Sequence, residues 1–163
     1  MALSDRADRI ARVFEPGHAT GRKPPFRFAA YTRVAFSDTD AQGVVYYGRY
    51  LPYFDLARTE YHRHLGRSDD DARSEFVMRA SDVEYHAPAR FDDLLEVFVR
   101  VPRVGRTSVT YEYAAYRLDP DGEERLMVTA TQTVVLIDRR GRCTLLVPDA
   151  FRDGVAGFEG TGA

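Results

Sequence analysis

Cysteine is nearly absent from this chain of 163 residues: Cys143 stands alone, so no disulfide framework can form within one chain. Charge of one sign is not in excess either. The formal net charge is −2, unlike a basic domain that tracks nucleic-acid phosphates, so no nucleic-acid partner is expected. No apolar run approaches the ~18 to 20 residues of a membrane helix, and no membrane partner is expected. Met1 to Ala11 is charged throughout and lacks the apolar segment of a secretory signal. Together these absences lead to the expectation of a cytoplasmic protein. The sequence also has no G-x-S-x-G elbow, no G-x-x-x-x-G-K-[ST] loop, no G-x-G-x-x-G turn and no internal repeat.

What is present describes one globular domain. Apolar residues make up 44% of the chain, enough for a core, and a chain this long buries roughly 70% of its unfolded surface. Residues 1–25 mix charge with Gly and Pro and read as an N-terminal extension, with a short helix near Ala7–Phe14. The domain itself is expected over 26–152. Residues 153–163 contain Gly154, Gly157, Gly160 and Gly162 and read as a flexible tail.

Within the domain, Phe28, Ala30, Val34 and Phe36 alternate and predict a strand at about 27–36. Tyr50, Phe54, Ala57, Tyr61 and Leu65 recur every three or four residues and predict a helix at about 49–65. Pro52 falls in its first turn and Gly66 stops it. Further strands are expected at about 76–86, 94–102, 107–117 and 124–138, with Leu126, Val128, Ala130, Val134 and Leu136 on one face of the last. Turns at Val104-Gly105 and at Asp119 to Gly122 make the last three a meander. One amphipathic helix and one antiparallel sheet each have a face to bury, so the economical α+β solution packs the helix on the sheet.

The segment between first strand and helix carries the chemistry. Asp38 and Asp40 precede Gly43 and then a helix start. The first N–H groups of a helix have no partner and sit at its positive end, where they can hold a carbonyl oxygen that turns negative. A carboxylate just upstream can activate water or attack the same carbonyl. On spacing alone, both aspartates can equally be turn or capping residues.

The run Val34-Ala35-Phe36-Ser37-Asp38-Thr39-Asp40-Ala41-Gln42-Gly43-Val44-Val45-Tyr46-Tyr47-Gly48-Arg49-Tyr50-Leu51 resembles the signature of the 4-hydroxybenzoyl-CoA thioesterase family. It looks most like the branch of small bacterial acyl-CoA thioester hydrolases. The likeness continues through Phe54 to Glu60 and, more loosely, through Tyr85 to Leu94. This resemblance implies the hotdog fold, a sheet wrapped around one long helix, and hydrolysis of acyl-CoA without metal or cofactor. It implies Asp40 as the catalytic carboxylate and the Tyr47 backbone N–H as the group that polarises the carbonyl. Many relatives carry His at the Tyr47 position, and Gln42 stands where small residues are more usual. Gly43, Val45 and Tyr46 are the expected substrate contacts around them. The turn Val101 to Ser108 matches one that helps hold CoA in related enzymes, and Arg103 and Arg106 are its candidate phosphate contacts. The resemblance also implies a homo-oligomer, a dimer or a dimer of dimers (a homotetramer), with active sites at the dimer interface.

Two other classes share the fold: a protein that binds acyl-CoA or another lipid thioester without cleaving it, and a hydratase or dehydratase. The latter needs a His-containing site in the helix region, and His62 and His64 lie too far down. Two apart on a helix, they also face different sides and read as structural or exposed. His86 reads as structural or as a substrate contact. Cys143 reads as a packed or surface thiol rather than a nucleophile, Asp69 to Asp71 as a solvated loop, and Tyr111, Tyr113 and Tyr116 as sheet packing.

Overall fold

The computed structural model describes residues 16–66 and 73–160. In chain order the elements are β1 (Gly17–Ala19), β2 (Phe28–Arg33), a 3-10 turn (Phe36–Asp38), a second 3-10 turn (Tyr47–Arg49) running into α1 (Tyr50–His64), β3 (Ser74–Tyr85), β4 (Leu94–Val104), β5 (Ser108–Leu118), β6 (Glu124–Asp138) and α2 (Asp149–Glu159). All strand pairs are antiparallel, in the order β1-β2-β4-β5-β6-β3. The chain therefore leaves β2, passes along α1, and returns at the opposite side of the sheet as β3.

The helix stripe lies where its period puts it. Tyr50, Phe54, Ala57 and Tyr61 are buried, and Leu65 packs at the margin. Phe54 stacks on Tyr113 at 4.8 Å between ring centres, and Tyr61 meets Phe28 edge-on at 5.7 Å. Each such ring removes enough apolar surface from water to contribute about 1.5–3 kcal/mol. Gly66, at φ +74°, ends the helix in the left-handed conformation that glycine adopts without strain.

β4 is buried on both faces. Leu95, Val97, Val99 and Val101 join the core under α1, and alternation turns Glu96 and Phe98 to the other side. There the segment before β2 covers them. His18 and Arg22 pair with the fully buried Glu96, Arg22 and Lys23 pair with Glu124, Lys23 sits over the Tyr116 ring, and Phe26 packs on Phe98. A buried carboxylate stays charged only when paired, and these residues supply the partners. This corrects the expected boundary at residue 26: residues 16–25 are part of the folded unit. The helix expected near Ala7–Phe14 and the Asp69–Asp71 loop lie outside the described residues.

The tail expected from 153 onward is also corrected. Residues 149–159 form α2, which buries Phe151 and Val155 and packs Phe158 against the core. Phe151, Val155 and Phe158 are spaced four and three apart, a helical stripe that the intervening glycines obscure. Side chains tie α2 down: Glu159 Oε1 accepts from Tyr61 Oη and from the Val101 N–H, and Arg152 donates to the carbonyls of Val104 and Gly105. The first core strand is shorter than expected. It ends at Arg33, and Phe36 lies in the 3-10 turn, 77% exposed, rather than on the buried face.

Candidate active site

Between β2 and α1 the chain makes two tight turns, each bearing one aspartate. The first is the 3-10 turn 36–38. The Asp38 carboxylate accepts from the Ala35 N–H (3.0 Å), Tyr53 Oη (2.7 Å) and Arg49 Nε (3.0 Å). Burial pushes this carboxyl up, but the Tyr53 and Ala35 hydrogen bonds and the Arg49 charge outweigh it and hold the pKa below the ordinary carboxylate value. In return, burial and the neighbouring carboxylate push the Tyr53 phenol far up.

The second turn reverses the chain at Asp40–Gly43. The Gly43 N–H bonds the Asp40 carbonyl and the Asp40 N–H bonds the Val44 carbonyl, both at 2.9 Å, while Thr39 and Val45 form an antiparallel bridge. Gly43 has φ +73°, which explains glycine there. The Asp40 side chain accepts the Gln42 N–H at 2.8 Å through one oxygen, an Asx turn that orients the carboxylate. The chain is then anchored by Val45 N–H to the Ala89 carbonyl (2.8 Å) and Tyr46 N–H to the Asp38 carbonyl (2.9 Å). The helical run begins immediately after, with Tyr47. Its N–H is the first donor of that run, with no carbonyl one turn earlier in the helix to take it.

A cavity of about 350 Å³ opens at this point. Asp40, Gln42, Val44, Val45, Tyr47 and Tyr50 line it from one side, and Tyr85, His86, Ala87 and Pro88 from the end of β3 and beyond. Asp40, Tyr47 and Val45 of the expected site thus meet in one cavity. Gly43 and Tyr46 do not line it: Gly43 shapes the turn, and Tyr46 is an exposed ring 4.2 Å from that of Tyr47. Arg103 and Arg106 are not brought there either. Arg103 pairs with Thr110 at the end of β4 farthest from Leu94, and Leu94 pairs with Arg33 next to the site loop. Nine residues of strand put ~30 Å between those ends. The Arg106 carbonyl accepts the Val147 N–H, and the hairpin is held by Arg152.

From the sequence, Tyr50 has only a packing role and Tyr85 none; both line the cavity. Tyr50 Oη accepts the Ala89 N–H at 3.1 Å, and Tyr85 Oη donates to the Tyr47 carbonyl at 3.0 Å. The second block of the resemblance, starting at Tyr85, is the signal that could have found it. His86 also lines the cavity, with Nε2 3.1 Å from Thr129 Oγ1 and 3.9 Å from Glu84. His62 is buried and bonded to Tyr111 Oη, Tyr111 and Tyr113 are buried in the core, and Cys143 is exposed. Among the described residues, no three His, Cys, Asp or Glu side chains cluster as a metal site, and no helix is long and apolar enough to cross a membrane.

Residues 42–124 match the family model described as the thioesterase superfamily. The chain belongs to that superfamily, and the helix-on-sheet architecture is its hotdog fold. Over 109 residues it is 38% identical to the acyl-CoA thioester hydrolase YbgC of Escherichia coli O6:H1, covering 65% of this chain and 78% of that protein. A thioesterase-superfamily structure from Jannaschia sp. CCS1 superposes with TM-score 0.76 at 24% identity, covering 85% of this chain and 86% of the other. A mutant 4-hydroxybenzoyl CoA thioesterase in complex with 4-hydroxybenzoyl CoA superposes with TM-score 0.69 at 20% identity, covering 78% and 96%. At these identities the two structures speak for the fold.

Proposed function

We propose that this protein hydrolyses acyl-CoA thioesters to a carboxylic acid and free CoA, with Asp40 as the acting carboxylate and the Tyr47 N–H as the carbonyl-polarising donor. The observation that carries the reading is that Asp40 and the residue opening the helix line one cavity. The relatives named as acyl-CoA thioester hydrolases supply the substrate class.

The reaction follows from these two groups. The thioester carbonyl oxygen faces the Tyr47 N–H, and negative charge grows on that oxygen as the carbon is attacked. Asp40 either takes a proton from the attacking water or attacks the carbon itself to form a mixed anhydride that water then opens. In both routes the carbon–sulfur bond breaks, sulfur leaves as the CoA thiolate and takes up a proton, and water supplies the oxygen of the acid. Asp38 is not a competing candidate, because three donors already engage its carboxylate.

The reading of the CoA end includes a second copy of the chain. Arg103 and Arg106 lie at the far end of the sheet from the cavity, so as phosphate contacts they would act on a substrate bound in a partner's site. The outer edge of β3, unpaired among the described residues and bearing the exposed Met78 and Tyr85, supports such an assembly. The proposed form is therefore a homo-oligomer acting in the cytoplasm, with dimer and dimer of dimers distinguished by light scattering at micromolar concentration. Thiol release from a panel of acyl-CoAs of different length, benzoyl types included, tests the activity. Release of CoA is expected. Tight binding of acyl-CoA without release would instead make the protein a non-catalytic thioester binder.

A further inference from the structure

Tyr47 begins the helix on an exposed stretch of chain. Tyr46 and Tyr47 are 42% and 61% exposed, and Gly48 follows with no side chain to pack. Upstream, the Tyr46 N–H is tied to the Asp38 carbonyl, and the Arg49 N–H returns to the Tyr46 carbonyl. Downstream, the Tyr47 carbonyl receives a hydrogen bond from outside the loop and the helix: Tyr85 Oη, 38 residues away at the end of β3, donates to it at 3.0 Å. The Tyr85 ring is braced by Tyr50, edge to face at 5.9 Å between centres.

We infer that Tyr85 is a positioning residue, and that its hydroxyl fixes the first turn of the helix so that the Tyr47 N–H stays aimed into the cavity. The inference rests on the thioesterase reading given above. An oxyanion donor works only when it is held where the charge will appear, and small misplacements of such groups are costly. The ring alone does not provide this, because the bond to the Tyr47 carbonyl needs the hydroxyl. Donation to that carbonyl also polarises the peptide ending in the Gly48 N–H, the next donor of the same turn. The edge strand is thereby coupled to the chemistry by one phenol.

The test is Tyr85→Phe, which keeps the ring and removes the hydroxyl. Loss of one hydrogen bond of ordinary net strength, felt in the transition state, lowers kcat about tenfold. KM for the best acyl-CoA is expected to change less than about twofold, since substrate binding does not use the bond. In the unliganded variant, amide hydrogen exchange at Tyr47 and Gly48 is expected to speed up relative to the rest of α1. Wild-type kcat in the variant, with unchanged exchange at those two amides, overturns the inference. So does a rise in KM with kcat intact, which makes Tyr85 a substrate contact. If the wild-type protein itself releases no thiol from any acyl-CoA, the thioesterase reading fails and this inference falls with it; a loss confined to Tyr85→Phe leaves both standing.

Discussion

Asp38 and Asp40 are two residues apart and identical in chemistry, yet the turns that carry them give them opposite surroundings. Asp38 is held by a backbone N–H, a phenol and a guanidinium, and its side chain is only 12% exposed. Asp40 accepts one hydrogen bond among the described residues, from the Gln42 N–H of its own turn, and lines the cavity. A carboxylate saturated with donors builds structure; one held by a single donor beside an open cavity is available for reaction. The contrast also separates the two experimentally, because one aspartate should control stability and the other turnover.

The largest expected effect breaks the reactive side. Asp40→Asn keeps the shape and the acceptor for the Gln42 N–H but loses the charge. Turnover should fall about 10²- to 10⁴-fold, the usual contribution of a general acid–base group, with an unchanged thermal midpoint. Wild-type rates in a thiol-release assay would remove Asp40 from the mechanism. On the structural side, Asp38→Ala leaves Arg49 and Tyr53 without their acceptor. A loss of about 1–3 kcal/mol in denaturant unfolding is expected, as for other stranded partners of a removed buried group. Stability equal to wild type would show that the Asp38 cluster is dispensable.

A smaller effect sharpens the role of the turn itself. A methyl group added at Gly43 would enter open space, but φ there is +73°, so Gly43→Ala meets no clash and incurs only left-handed strain. That strain is about 1–2 kcal/mol, read as a lower unfolding midpoint. The smallest effect is in pH. The Asp38 carboxyl titrates below its ordinary 3.8 in the folded protein, so the unfolded chain takes up the proton first as pH falls. Its contribution to stability is full above about pH 4–5 and is lost as pH drops through the native value. The stability gap between wild type and Asp38→Asn should therefore narrow below pH 4 in acid unfolding curves, and a gap that widens there would refute the assignment.

Much of this was legible in the sequence, for identifiable reasons. The Tyr50–Phe54–Ala57–Tyr61 stripe and the alternating strands are local patterns, so the helix and the four later strands fell within a few residues of their observed bounds. The site loop was legible through its resemblance to a known signature. What was not legible depends on long-range contacts. Arg22 and Lys23 read as part of an extension outside the domain, because Glu96 and Glu124, which bind them, are some seventy to a hundred residues away. Glycines at 154 and 157 masked the stripe of α2, whose worth depends on a core the sequence does not display. Tyr85 reached the site only through the return of β3, and the placement of Arg103 and Arg106 depends on how strands β4 and β5 run away from the cavity.

The central claim is that the Asp40 side chain and the Tyr47 amide converge on one thioester group. A crystal structure of Asp40→Asn with an uncleaved acyl-CoA tests it most directly. The thioester oxygen is expected about 2.7–3.1 Å from the Tyr47 nitrogen, with the residue-40 side chain beside the carbonyl carbon. A thioester bound elsewhere, or one whose oxygen points away from the helix start, would contradict it.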